Sequence, residues 1–342
     1  MVVEHVPNRT IQEDCTQNKA GKKTKRQAQT RVVRARAKGF KQGAIGKTEE
    51  NPALVLSHNT ARDAILLREA SVNSTRCRGR KKCRTQTSVT AGTIFHGTRV
   101  PLLKWYWLIY HMAMDKVGVS IAEMQRILGI GQYKTAWLMA HKIREAMAAR
   151  DARYSLAGLV EMDESFFGPA GRIRGRGNEA KCTVLCAVSL YRNKRGEQKP
   201  GFAHMSVVND ASAETIADFL ERLGCDETTE DGKSLMKAIR TDGWRSYGQA
   251  AKDKSLRHYR VLLRDPKAAG KLMPWVHRVI SNTKAVIRGT HRGVSKKHLQ
   301  RYLSEIAYRF NRRYWEGELF DRLVQACLIA ETVTYKNLVK SV

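Results

Sequence analysis

The hydrophobic pattern of the chain changes its period near residue 158. Between residues 105 and 149 apolar side chains recur every three or four positions, as at Trp105, Leu108 and Met112, which predicts helices with one face against a core. From residue 158 onward the period shortens to two, which is typical of strands. The predicted strands are Leu159–Phe167, Thr183–Tyr191, Phe202–Val208, Leu235–Thr241 and His258–Leu263.

The order of these elements indicates the fold class. A helix from Ala213 to Leu223 lies between the third and fourth strands, and another helix follows the fifth strand. The first three strands follow one another without a helix, so they can form an antiparallel meander. We therefore expect an α/β domain built on a mixed sheet and preceded by a helical region.

The helical region contains the pattern of a helix-turn-helix. Helices are predicted over Ile121–Leu128 and from Gln132 to about residue 149, joined by a turn that contains Gly129 and Gly131. Ser120 and Glu123 have the spacing of a capping box in front of the first helix. In a helix-turn-helix the second helix enters the major groove of DNA, whereas the alternative is an ordinary helical hairpin. The residues predicted to contact DNA are Gln132, Tyr133, Lys134, Lys142 and Arg144.

The charge of the chain favours the DNA-binding alternative. Sixty-two Lys and Arg residues against 32 Asp and Glu residues give a formal net charge of +30. So large an excess is typical of proteins that bind nucleic acid. No apolar run is long enough to cross a bilayer, and neither a signal-peptide pattern nor a basic amphipathic helix for a membrane surface is evident. The seven cysteines are scattered, which is typical of a reducing cytoplasm.

Residues 1–87 are predicted to be a basic, poorly ordered region. From Lys19 to Lys41 the sequence has few large apolar residues, which is typical of a flexible phosphate-binding arm, and only Ala61–Ala70 is expected to form a short helix. Cys77 and Cys83 form a single pair, whereas a zinc ribbon needs four ligands. We therefore predict no zinc site and interpret the two residues as free thiols.

The predicted strand Leu159–Phe167 carries a carboxylate in its middle. Alternation puts Glu161, Asp163 and Ser165 on one face, and Val160 and Met162 on the other. A carboxylate inside a strand is costly to bury unless it has a partner or binds a cation. Asp163 is therefore a candidate metal ligand, with a solvated face of an exposed edge strand as the alternative.

Two further candidates follow later in the chain. Asp242 ends the fourth predicted strand, where Gly243 permits a turn, and it would approach Asp163 if the first and fourth strands are neighbours. Two carboxylates of this kind can hold the metal pair of an in-line phosphoryl displacement, with Mg²⁺ or Mn²⁺ as the metal. Asn282, on the helix after the fifth strand, is a possible third oxygen ligand, and a surface asparagine is the alternative.

Several long motifs occur in one order and carry a family resemblance. They are SVTAGTIFHGTRVPLLKWYW, the helix-turn-helix pattern, VEMDESFFG, TDGWRSY and HRVISNTKAVIRGTHRGVSKKHLQRYLSEIAYRFNRR. From about Ser88 to Phe320 the chain resembles bacterial insertion-sequence transposases of the ISXO2-like group, the IS1595 family. The resemblance implies a ribonuclease-H-like core of the DDE type in which asparagine can replace the third acid.

The resemblance also implies roles for particular residues. Asp163, Asp242 and Asn282 would be the catalytic and metal-binding set, with Glu305 as a rival third ligand and His277 as a helper. Lys284 and Arg288 would contact transposon-end DNA. Arg174, in the basic glycine-rich loop from Gly171 to Lys181, is a further candidate for DNA binding, although a plain flexible hairpin explains that loop equally well.

These expectations define a domain plan and a function. The plan is residues 1–87 as an N-terminal region with a degenerate zinc ribbon, 88–155 as the DNA-binding region, 156–325 as the catalytic domain and 326–342 as a tail. The expected function is a bacterial, nucleoid-associated DNA transposase that acts as a homo-oligomer on transposon ends and target DNA. A non-catalytic regulator and a structure-selective nuclease are the alternatives. The N-terminus departs from the family pattern, since Arg80 stands where a zinc ligand is expected.

Overall fold

The computed structural model describes residues 75–76, 86–88, 90–168, 181–228, 234–261 and 272–339. The chain divides into two compact units, residues 1–103 and 104–342. In the first unit Thr75–Arg76 and Gln86–Thr87 form a short antiparallel pair. The predicted basic arm, the helix Ala61–Ala70 and the cysteine pair of the degenerate zinc ribbon lie outside the described residues.

The second unit is built on a five-stranded mixed sheet. Its strands are β1 (Gly158–Phe167), β2 (Cys182–Arg192), β3 (Gln198–Val208), β4 (Met236–Thr241) and β5 (Arg257–Arg260). The strand order is β3-β2-β1-β4-β5, with β1, β2 and β3 antiparallel and β1, β4 and β5 parallel. This order is that of a ribonuclease-H-like sheet, so the predicted fold class is confirmed. It also makes β1 a central strand, which rules out the exposed edge strand.

Nine helices are found among the described residues. They are α1 (Leu102–Met114), α2 (Ile121–Ile127), α3 (Tyr133–Asp151), α4 (Ala213–Arg222), α5 (Arg245–Asp253), α6 (Pro274–Gly289), α7 (Lys296–Asn311), α8 (Leu319–Ile329) and α9 (Tyr335–Val339). In that part of the chain, no helix is long and apolar enough to cross a membrane.

The strand alternation sorts the side chains of the sheet onto two cores. Val160 and Met162 of β1 face a core completed by α4 and α5, to which Phe219 and Tyr247 contribute fully buried rings. On the opposite face, Phe167 belongs to a core that the buried stripe of α6 and the apolar side of α7 complete. Glu161 and Asp163 share this second face with Phe167, because all three occupy alternate positions.

The helix-turn-helix pattern forms α2 and α3, as predicted, but the capping box does not. Ser120 occupies the N-cap position of α2, and its side chain makes no capping hydrogen bond. The turn instead relies on the left-handed backbone of Gly129 (φ 56°) and on Ile130, whose N–H donates to the carbonyl of Gln125. Lys104 also holds the turn, since its Nζ donates to the Gly129 carbonyl at 2.8 Å.

A buried ion pair fixes α3 against the catalytic domain. Arg144 is fully buried, and its Nε lies 2.6 Å from Oε2 of Glu305 on α7. Burial alone raises the pKa of Glu305, but Arg144 and Arg309 outweigh it and lower the pKa overall. The guanidinium of Arg144 also stacks over the ring of Tyr302 at 3.9 Å. The planned boundary at residues 155 and 156 therefore does not separate two compact units.

The predicted C-terminal tail is folded. Residues 326–339 include the end of α8 and the whole of α9, and Leu338 is fully buried. The carbonyl of Leu338 accepts a hydrogen bond from Nη1 of Arg301 at 3.2 Å. The sequence does not reveal this because α9 is only five residues long and its one buried residue is Leu338.

We predict that Glu305→Gln lowers the free energy of unfolding by about 3–5 kcal/mol, because it leaves the Arg144 charge buried without its counter-ion. The double variant Arg144→Met with Glu305→Leu should recover most of that loss. Urea denaturation of the full chain measures both. The exposed pair Arg322 and Glu318 is the matched control, and Glu318→Gln should cost less than about 1 kcal/mol. Equal costs for the two single variants would contradict the structural role of the buried pair.

Candidate active site

The two predicted acids lie just beyond the paired part of the central parallel strands. Glu161 of β1 pairs in register with Arg240 of β4. Asp163 comes two residues after Glu161 and Asp242 two residues after Arg240, so the parallel register brings both acids to the same end of the paired segment. Asp242 follows the last residue of β4, and its Oδ1 accepts the N–H of Trp244 at 3.1 Å. The condition set by the sequence, that the first and fourth strands are neighbours, is met.

Glu161 anchors the start of α6 to this face of the sheet. Its Oε2 accepts the backbone N–H groups of Trp275 and Val276, each at 3.0 Å, and its Oε1 lies 3.5 Å from Nη1 of Arg240. Burial raises the pKa of Glu161, while the two N–H groups and Arg240 act in the opposite direction. A carboxylate at a helix N-terminus satisfies N–H groups that have no partner within the helix. Strand alternation predicts Glu161 on the face of Asp163, but no local pattern indicates that it binds the start of a helix.

The anchored helix brings His277 to the first acid. Nδ1 of His277 lies 3.4 Å from Oδ2 of Asp163, and both side chains are largely buried, with 31% and 16% of their surfaces exposed. Burial lowers the pKa of His277, and the negative charge of Asp242 opposes that effect. His277 therefore lies within electrostatic reach of both acids. The other ring nitrogen, Nε2, is buried and has no hydrogen-bond partner.

The geometry of α6 places Asn282 elsewhere. Five residues separate it from His277, which is a rotation of about 140° around an α-helix. Asn282 is exposed, and the buried side of α6 is formed by Val276, Val279, Ile280, Thr283 and Ile287. The assignment of Asn282 as third ligand stays a prediction, and the position of His277 favours the histidine instead.

Glu305 is not available as a rival ligand. It is buried beside Arg144, and Arg309 lies one turn along α7 with its Nη2 3.8 Å from Oε1 of Glu305. Glu305 therefore forms a salt bridge within its own helix, as the alternative interpretation expected. The stronger partner is Arg144, which no local sequence pattern indicates because the two residues are 161 positions apart.

Lys284 lies on the same side of α6 as His277, because seven residues make about two helical turns. Its Nζ lies 5.6 Å from the ring centroid of Phe167. Burial lowers the pKa of Lys284, while the charge of Asp163 raises it. Arg288 is exposed one turn further along. Lys284 and Arg288 thus form a line of positive charge that runs along α6, away from the acids.

The predicted DNA-contacting residues of α3 divide into two groups. Gln132, Tyr133 and Lys134 are exposed at its first turn. Lys142 and Arg144 are buried, which does not favour a contact between either side chain and DNA. The reason is that α3 packs against α7 and α8 along most of its length. Arg174 lies outside the described residues.

The donors near Asp163 are of the types that bind a divalent metal. Asp163 and Asp242 supply carboxylate oxygens, and the buried Nε2 of His277 has no other partner. Within the described ranges, however, no three His, Cys, Asp or Glu side chains are grouped closely enough to hold an ion as they stand. The residues are therefore suited to a metal by their chemical type and by their position on the sheet. One oxygen of Asp242 already accepts a hydrogen bond within its own turn.

The strand order, with an acid near the end of each of the two central parallel strands, is that of the ribonuclease-H-like class of domains. Residues 155–311 match the family model described as the ISXO2-like transposase domain. Over these residues the chain is similar to that transposase family, and the match supports a DNA transposase. The DDE type of transposase implies a requirement for a divalent metal.

Comparison with solved structures adds two distant likenesses. The crystal structure of a pre-cleavage Mos1 transpososome is 11% identical, with a TM-score of 0.28 over 96% of this chain and 100% of that chain. The Mos1 transposase paired-end complex with the left transposon end is also 11% identical, with a TM-score of 0.28 over 94% and 99%. Similarity at this level carries no argument. Curated protein sequences give no match.

We predict that Glu161→Gln lowers the melting temperature and loosens the start of α6, because a neutral amide is a weaker acceptor for two N–H groups and Arg240. The loss should be about 1–3 kcal/mol of unfolding free energy. Hydrogen exchange should show faster exchange at Trp275 and Val276. Unchanged protection there would mean that Glu161 does not hold the helix.

Proposed function

We propose that this transposase binds the terminal inverted repeats of its element and catalyses metal-dependent strand cleavage followed by strand transfer. The observation that carries the proposal is that His277 contacts Asp163 and lies within electrostatic reach of Asp242, which follows the end of the neighbouring parallel strand β4. This arrangement offers two carboxylates and an imidazole at one edge of the sheet. It supports phosphoryl transfer better than a regulatory role, because a DNA-binding regulator has no use for such a cluster.

The residues of the site would have three roles, which are to hold the metal, to bind phosphates and to position α6. Asp163, Asp242 and His277 would hold the metal, with Asn282 retained as the alternative third ligand. A bound Mg²⁺ or Mn²⁺ supplies Lewis-acid stabilisation of the charge that develops on the phosphoryl oxygens. Lys284 and Arg288 extend from the site along α6 and would hold the phosphates on either side of the scissile bond. Glu161 acts indirectly, by fixing the start of the helix that carries these residues.

The DNA substrate would be held at a second place on the chain. The exposed first turn of α3, with Gln132, Tyr133 and Lys134, is the part of a helix-turn-helix that contacts base edges. Recognition of the element ends is assigned to this turn. Two ends must be brought together for strand transfer, so the proposal includes a homo-oligomer assembled on DNA. The protein would work on bacterial DNA in the cytoplasm.

We predict that Asp163→Asn lowers the rate of cleavage of end-bearing DNA by roughly 100-fold to 1,000-fold while leaving DNA affinity unchanged. The amide keeps the shape of the side chain but removes the charge that a cation requires. A gel assay with Mg²⁺ measures cleavage, and a mobility-shift assay measures binding. Retention of full cleavage would exclude Asp163 from the site.

His277→Ala and Asn282→Ala form a matched pair on one helix. We predict that the first variant loses at least about 10-fold to 100-fold in Mn²⁺ affinity or in cleavage, whereas the second keeps both. The reason is that His277 contacts Asp163 and Asn282 is turned away on an exposed flank. Calorimetric titration with Mn²⁺ gives a readout separate from activity. The reverse pattern would restore Asn282 as the third ligand.

A substrate comparison separates transposition from simple nuclease action. DNA with terminal inverted repeats should be cut at the element ends and joined to a target duplex, and the flanking genomic DNA should contain short target duplications. Cleavage without any dependence on repeats, and without joined products, would favour a structure-selective nuclease. Absence of all cleavage, with binding intact, would favour the regulator.

A further inference from the structure

The C-terminal segment of the chain lies against the exposed end of α3. Nζ of Lys134 lies 4.4 Å above the ring centroid of Tyr335 on α9. Behind this contact, Leu338 is fully buried, and its carbonyl accepts from Arg301. Arg301 also forms an ion pair with Glu145 of α3. One arginine thus ties α9 to both α7 and α3, so its position beside the first turn of α3 is built into the fold.

The residues around this contact form an exposed cationic surface, which we name the α3–α9 patch. It comprises Tyr133, Lys134, Lys297, Tyr335 and Lys336, all of them exposed. Lys297 belongs to it because it precedes Arg301 by one turn of α7 and so lies on the same side of that helix. Glu145, on α3, forms an ion pair with Arg301.

The burial of α3 explains why such a patch is needed. Beyond its first turn, α3 is packed against α7 and α8 and presents few side chains to a ligand. A helix that offers DNA only its first turn makes few contacts of its own. Roughly half to two-thirds of protein–DNA hydrogen bonds go to phosphate and sugar. Those contacts must therefore come from elements beside the turn, and the lysines of α7 and α9 are placed there.

We propose that α9 and the start of α7 complete the double-stranded DNA-binding surface of the helix-turn-helix. Lys297 and Lys336 bind phosphates that flank the groove entered by the first turn of α3, and the ring of Tyr335 holds the ammonium of Lys134 in position. This inference rests on the proposed function, in which that turn contacts DNA. The occupant is a DNA duplex because the surface is cationic, the chain carries a net charge of +30, and the family match supports a DNA transposase.

The test uses the full chain, a fluorescein-labelled mixed-sequence DNA duplex and a salt titration followed by fluorescence anisotropy. Lys297→Ala and Lys336→Ala should each raise the Kd by roughly fivefold to tenfold at 0.1 M salt and lower the salt slope by about one unit. Lys252→Ala is the matched control, because Lys252 is exposed on α5, on the opposite face of the sheet. Its Kd and slope should equal those of the unaltered chain.

Two results would overturn the inference. Values for Lys297→Ala and Lys336→Ala that match the Lys252→Ala control would mean that no phosphate is bound there. Tighter binding by Lys336→Ala or by Tyr335→Ala would mean that α9 obstructs the end of α3 instead of extending its DNA-binding surface. Because each change is a single exposed side chain, thermal melting of the variants should match that of the unaltered chain.

A parallel variant separates this inference from the proposal on which it rests. Tyr133→Ala tests the first turn of α3 alone, on the same duplex. If Tyr133→Ala weakens binding and the two lysine variants do not, the first turn of α3 contacts DNA, but α9 and the start of α7 do not bind its phosphates. If Tyr133→Ala and Lys134→Ala both leave the Kd unchanged, the assignment of DNA recognition to α3 fails, and the inference fails with it.

Discussion

The parallel register between β1 and β4 is the constraint on which the candidate site depends. It puts Glu161 opposite Arg240, and Asp163 and Asp242 each come two residues after this pair. A register shift of one residue would turn one acid toward the core formed with α4 and α5, where a carboxylate has no partner. The buried positions of Val160 and Met162 on that other face hold the register, since a slip would turn them away from that core. The apolar core thus fixes the spacing of the acids without touching them.

The second requirement is that α6 starts in the right place. Glu161 provides this by accepting two N–H groups from the first turn, and the buried stripe of α6 then fixes its rotation. Position and rotation together decide that His277 meets Asp163 while Asn282 does not. Glu161 of β1 therefore fixes the position of α6. Asp163, the next carboxylate on the same face of β1, contacts His277 of that helix.

Most of the sheet could be predicted from the sequence because its strands are either alternating or, as in β2, a short continuous apolar run. The five predicted strands match the observed ones to within a few residues, and the fourth ends where Asp242 was expected to leave it. Asp163 and Asp242 could be predicted as a pair from the local sequence pattern and from one assumption, that the first and fourth strands are neighbours. The third member could not be chosen this way, because the two candidates are five residues apart on one helix and only its rotation separates them.

Long-range pairs lay outside the reach of local patterns. Nothing near Arg144 in the sequence indicates that it is buried against Glu305, so its charge was interpreted as a DNA contact. The fold of residues 326–339 was missed for a similar reason, since Leu338 is bound through its carbonyl by Arg301 of α7, far away along the chain. In both cases the decisive interactions join residues that are far apart along the chain.

The central claim is that Asp163, Asp242 and His277 share one divalent metal site. Iron-directed cleavage of the protein backbone tests it most directly: Fe²⁺ replaces Mg²⁺, and hydroxyl radicals form at the bound ion. The radicals arise when bound Fe²⁺ reduces added hydrogen peroxide, and ascorbate returns the Fe³⁺ formed to Fe²⁺. The account predicts cuts at the end of β4, around Asp163 and at the start of α6, all suppressed by excess Mg²⁺. Cuts confined to other segments, or cuts that Mg²⁺ does not suppress, would contradict it.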